Sequence, residues 1–101
     1  NKIQGTVHHP DKHGSGDGGE TNEYTNVSTA FNTYSVVWNE KAITFLVNDK
    51  PFHIVGNACA LPFNWDFFLI LNIAMGGTFG GSVPDSFVSD IMEVDYVRVY
   101  Q

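Results

Sequence analysis

The ending of the chain, VSDIMEVDYVRVYQ (Val88–Gln101), sets three carboxylates, Asp90, Glu93 and Asp95, inside an apolar, strand-like run. Paired carboxylates can cleave a glycosidic bond, one as nucleophile or base and the other as acid. Residues two apart on a strand share a face, so Glu93 and Asp95 would stand about 6–7 Å apart. Retaining glycosidases hold their two carboxyls about 5–5.5 Å apart and inverting ones about 6.5–9.5 Å. Spacing alone does not dismiss the pair. However, Val94, Tyr96, Val97 and Val99 make this a core strand with a polar start. Acids on a solvated face are the simpler reading.

Other residues can bind rather than react. In IQGTVHH, alternation puts Thr6 and His8 on one face and Val7 and His9 on the other. An imidazole there can hydrogen-bond a sugar hydroxyl or an acid/base partner. A lone strand histidine is more often structural, and His8, His9, His13 and His53 fit no zinc spacing. Asn72 interrupts FFLILNIA, and a buried amide without partners costs a few kcal/mol. Either it satisfies backbone in a core or it faces a cleft. Ile70, Asn72 and Ala74 share a face, and the small Ala74 and Gly76 leave room for a ligand. GGTFGG (Gly76–Gly81) lacks the lysine and helix of a phosphate loop. Phe79 at its tip either stacks on a sugar ring or caps the core. Trp38 reads as core and Trp65 as either core or a ring that stacks on a sugar, while the sequon Asn26-Val27-Ser28 is a pattern common by chance.

The elements that must position these residues are strands. Ile3–His9, Phe31–Trp38, Ala42–Val47, Pro51–Val55, Phe67–Ala74 and Ile91–Tyr100 carry alternating or β-branched text. Pro51 marks its strand as an edge. Asp11–Thr25 reads as a long loop, Gly56–Asp66 as a connection with room for one helical turn, and Met75–Asp85 as a glycine-rich loop. No amphipathic helix, internal repeat or linker appears. Six strands with hairpin turns predict an antiparallel sandwich. A segment apolar on both faces, such as FFLILNIA, needs neighbours on every side, and these strands are too few to supply them. Further strands, from a missing segment or another chain, are expected to complete the fold.

Composition narrows the function. A hydrophobic fraction of 43% excludes a disordered chain, and 101 residues fit one domain. A net charge of −6 argues against a nucleic-acid partner. Cys59 is the only cysteine, so no intrachain disulfide forms. No signal peptide is recognisable, and no apolar run approaches the ~18 residues of a membrane span. The abrupt strand-like start at Asn1 suggests a fragment or a processed product.

Four segments in order, GTVHHP, FNTYSVVW with ITFLVND, FFLILNIAMGGTFGG and MEVDYVRVYQ, span nearly the whole chain. Together they resemble the C-terminal half of glycoside hydrolase family 16, and its laminarinase-like endo-β-1,3-glucanases most. The resemblance implies an all-β jelly roll of two curved antiparallel sheets with a sugar cleft on the concave one, of which residues 1–101 form the C-terminal part. It implies a secreted enzyme that hydrolyses internal β-1,3-glucosidic bonds with retention, acting on β-glucan such as laminarin. The family's acids lie in an E-x-D-x-x-E strand preceding the GTVHH-like one, hence upstream of Asn1. VSDIME only echoes that motif, with Val88 in the nucleophile's place. No catalytic residue is therefore expected within the chain, and the isolated chain is expected to be inactive without its N-terminal half. By the same resemblance His8 and Asn72 line the cleft, with Phe79 a further candidate for its wall, and Asp95 contributes one oxygen to a structural Ca2+, its alternative being a carboxylate that accepts local hydrogen bonds. Asn32 and Asp66 depart from the family's usual histidine and proline. A non-catalytic β-glucan-binding relative and an unrelated lectin-like sandwich remain alternatives.

Overall fold

The computed structural model describes residues 2–10, 16–57, 63 and 65–101. These fall into two units, Asn1–Asp66 and Phe67–Gln101. The first contains five strands: β1 Ile3–Val7, β2 Asp17–Thr21, β3 Tyr34–Trp38, β4 Ala42–Val47 and β5 Lys50–Gly56. β1 and β2 pair antiparallel from Ile3↔Thr21 to Val7↔Asp17. The second sheet has the order β3-β4-β5, also antiparallel.

Local sequence explains the three-stranded sheet. YSVVW and AITFLV are rich in the β-branched and aromatic residues that suit a pleated surface. Between them the Asn39 carboxamide oxygen accepts the Lys41 and Ala42 amides at 2.9 and 3.1 Å and closes the turn. β4 and β5 meet at Asn48-Asp49, whose φ of 49° and 64° are those of a two-residue type I′ hairpin turn. β5 is an edge strand, as Pro51 requires, and the register slips between Phe45 and Leu46, leaving Phe52 as the extra residue of a bulge.

The two sheets of this unit meet face to face through missing side chains. A Cβ on Gly5 would stand 2.6 Å from the Phe45 ring, and one on Gly19 would stand 2.4 Å from the His53 ring. Bare backbone at both points lets β1 and β2 lie directly on β4 and β5. Val7, Ile43, Val55 and Phe63 form the core there, with Phe45 packed against it, and Val47 is fully buried. Tyr34, Val36 and Trp38 share the inner face through their pairing with Val47, Phe45 and Ile43. They stay exposed. Trp38, expected in the core, is instead 42% exposed, because among the described residues the first sheet overlies β4 and β5 rather than β3.

Other expectations shift at their edges or fail. β1 stops at Val7 rather than His9, and β3 starts at Tyr34 rather than Phe31. The expected loop Asp11–Thr25 contains β2, whose glycines serve sheet contact as well as turning. Most of the connection Gly56–Asp66, with Cys59, lies outside the described residues, as does His13. In the second unit the glycine-rich loop holds a four-residue helical turn, α1 Gly77–Gly80. Phe67–Ala74 and Ile91–Tyr100, expected as buried strands, form no ladder among the described residues, and their side chains lie exposed, Phe68 to 83%. A strand needs a neighbour for its N–H and C=O groups, and a doubly apolar one needs cover on both faces. Neither is met within this unit. No helix of the described residues is long and apolar enough to cross a membrane.

Candidate functional site

The first hairpin separates its residues sharply by face. Gly5, Val7 and His9 are buried, whereas Gln4 and His8 are exposed and Thr6 is half-buried. The alternation continues past the last paired residue, so His8 points away from the core alongside Thr6, as the sequence implied. Across the ladder, Gln4 faces Glu20 and Thr6 faces Gly18. The outer face thus presents an amide, a hydroxyl, an imidazole and a carboxylate around bare backbone.

That face is organised by short contacts. The Gln4 amide nitrogen donates to Thr6 Oγ1 at 3.1 Å. Lys2 Nζ reaches Glu20 Oε2 at 2.6 Å in an exposed pair worth little to stability. A Cβ on Gly18 would stand 2.9 Å from Thr6 Oγ1, and one on Gly16 would stand 2.6 Å from Thr6 Cγ2 and 3.2 Å from His8 Nδ1. Glycine at 16 and 18 leaves Thr6 and His8 the space they occupy. Such a strip can hydrogen-bond a chain of hydroxyls. Gln4 and Glu20 were missed in the sequence. Gln4 lies two residues before Thr6 and was legible by alternation, but Glu20 became visible only with the pairing of β2.

Beneath the strip, His9 is only 9% exposed. Its ring stands edge-on to Phe63, centroids 6.3 Å apart, and its Nε2 lies 3.4 Å from Asp17 Oδ2. A carboxylate only accepts, so it places the imidazole proton on Nε2. His53 Nε2 lies 3.4 Å from the Asp17 carbonyl oxygen, and its ring stacks on Phe45 at 5.9 Å. A groove of about 260 Å³ opens there, lined by Asp17, Gly18, His53, Ile54, Val55 and Gly56. His53, which carried no signal in the sequence, is thus packing against Gly19 and tying β2 to β5.

The remaining expected site residues belong to the second unit. Asn72 is exposed. Phe79, on α1, is 91% exposed. Asp90, Glu93 and Asp95 are exposed as well, and the Asp90 carboxylate accepts the Ile91 amide at 2.8 Å. Asp95 offers the hard oxygens calcium takes, but one carboxylate supplies two of the six to eight required. Among the described residues no three His, Cys, Asp or Glu side chains gather as a metal site.

Comparison with known proteins decides the family. The profile described as Glycosyl hydrolases family 16 matches residues 1–98. The chain belongs to this family. It is 37% identical over 117 residues to glucan endo-1,3-beta-glucosidase A1 of Niallia circulans, covering 98% of the chain and 17% of that protein. It is 31% identical over 116 residues to glucan endo-1,3-beta-glucosidase of Cryptopygus antarcticus, covering 96% of the chain and 43% of that protein. Keratan-sulfate endo-1,4-beta-galactosidase of Sphingobacterium multivorum is 34% identical over 79 residues, covering 73% of the chain and 19% of that protein. This family 16 chain therefore spans less than half the length of each of these relatives. No solved structure matches it significantly.

Proposed function

We propose that this chain is the C-terminal part of a secreted, retaining endo-β-1,3-glucanase that hydrolyses internal bonds of laminarin-type β-glucan. The observation that carries the reading is the polar outer face of the first hairpin, with His8 exposed on it, in a chain whose family is glycoside hydrolase 16. Two relatives named as glucan endo-1,3-beta-glucosidases, matched over nearly the whole chain, favour β-1,3-glucan as substrate. In this reading β1 runs beside the strand that carries the acids, in the jelly roll of a complete domain. His8, Asn72 and Phe79 line the cleft, His8 and Asn72 by hydrogen bonds to hydroxyls and Phe79 by stacking on a ring face. The nucleophile and the acid/base are supplied from outside the 101 residues, because Val88 stands where VSDIME would need its nucleophile. Asp95 is one oxygen donor to a structural Ca2+ whose other ligands come from the rest of the domain.

The test is hydrolysis by the full-length protein that contains this chain, offered laminarin, mixed-link β-glucan and keratan sulfate, with the first-formed anomer read by NMR. Internal cleavage of laminarin with a β-anomeric first product supports the reading. Cleavage of keratan sulfate alone would move the substrate to a galactan, as the match to a keratan-sulfate galactosidase allows. Binding of laminarin without cleavage would make the protein a β-glucan-binding relative.

A further inference from the structure

Resting on the reading of His8 as a cleft residue, we propose that Asp17, acting through His9, is a positioning residue that fixes the direction of the His8 imidazole. His8 sits one residue beyond the last ladder pair, Val7↔Asp17, where the β1–β2 ladder no longer restrains the backbone. What holds this segment is the next side chain. His9 turns inward, packs its ring edge on Phe63 and puts Nε2 3.4 Å from Asp17 Oδ2, while its buried Nδ1 has no hydrogen-bond partner. The carboxylate thus provides the ring's polar anchor, and the residue that bears it faces Val7 across the hairpin. With Val7 and His9 both pinned inward, the pleat leaves His8 one direction, outward.

Gly16 sets the other limit on that ring. Its φ of +54° lies in the left-handed region that favours glycine, and a Cβ there would stand 3.2 Å from His8 Nδ1 and 2.8 Å from the Val7 carbonyl oxygen. The imidazole lies against bare backbone on one side and next to Thr6 on its own strand. A group that must meet a sugar hydroxyl has to be held within about 0.5 Å of its productive place. An anchor one residue away, on the opposite face, meets that need without entering the cleft itself.

The experiment is a double-mutant cycle in the full-length protein, reading kcat and KM on laminarin, or laminarin affinity should the protein bind without cutting. His8→Ala is expected to lower kcat/KM about tenfold, the size of one lost hydrogen bond to substrate. Asp17→Ala should lower it severalfold, Asp17→Asn should restore most of the loss by keeping an acceptor, and the double variant should be no worse than His8→Ala alone. Full multiplication of the two effects, or an Asp17→Ala enzyme within twofold of wild type, would overturn the proposal while leaving His8 in the cleft. An unaffected His8→Ala enzyme would instead remove His8 from the cleft and the proposal with it. Should Asp17→Ala fail to fold, His9→Gln against His9→Ala gives the same cycle, since glutamine keeps an N–H donor toward the carboxylate.

Discussion

The glycines of the first hairpin are the residues on which most of the packing turns. Gly19 meets the His53 ring and Gly5 the Phe45 ring at distances no Cβ tolerates. Gly19→Val is therefore expected to force the sheets apart, costing about 1–3 kcal/mol or more in the manner of an overpacked core. Gly56→Ala, where a Cβ would meet nothing within 4 Å, should stay within about 0.5 kcal/mol of wild type. Thermal unfolding of the two variants of the full-length protein checks the contrast, and equal midpoints would contradict it. The same positions show why the sequence was misread there. DGGET has the text of a loop because glycine is the usual turn residue, yet here it marks close approach of two sheets. Only the identity of the facing residues, Phe45 and His53, tells the two apart, and that pairing is remote in sequence. The outward direction of His8 was legible because strand alternation is local, whereas the His9–Asp17 contact needed the register of β1 on β2.

Among the elements, the hairpin β4–β5 was the most legible, since the apolar run AITFLV, the polar NDK and the edge-marking Pro51 all point to one geometry. Its turn also ties in the neighbouring strand. The Asn48 amide and carbonyl side-chain atoms bond Asn32 Oδ1 at 2.8 Å and the Thr33 backbone N–H at 2.9 Å, just before β3 begins. Asn32 thus has a local partner in the turn. Both turn residues have positive φ, 49° at Asn48 and 64° at Asp49. Asp49→Gly is expected to stabilise the domain by about 0.5–1 kcal/mol, the relief of an L-residue from the left-handed region. Asp49→Val should do the reverse. Denaturant midpoints with an unchanged m-value are the measure, and a fall in the glycine variant's midpoint would mean the turn is not type I′ in solution. By contrast, Phe67–Ala74 and Ile91–Tyr100 have strong strand text without a ladder, because periodicity predicts a strand only where a neighbour exists to pair with it.

At the scale of the molecule, the two units differ in how far they satisfy themselves. The first buries Val47 fully and closes two sheets on one another, whereas the second leaves Phe68, Ile70, Val97 and Val99 exposed. Large exposed apolar surface marks a contact that is to be made. If that contact is with the rest of a family 16 domain, as proposed, two results follow. The purified 101-residue chain should release no reducing sugar from laminarin and should bind a hydrophobic dye, while co-expression with the remainder of the domain should restore hydrolysis and quench the dye. Hydrolysis by the 101 residues alone would place the acids within them, leaving Asp90, Glu93 and Asp95 as the candidates. Calcium belongs to the same scale, because Asp95 needs ligands from elsewhere in the domain. A chelator should lower the unfolding midpoint of the full-length protein, and Asp95→Asn should lower it similarly and make it insensitive to chelator. A chelator effect that persists undiminished in Asp95→Asn would put the ion at another site. An unchanged midpoint in both would leave Asp95 with a solvated carboxylate and no structural role.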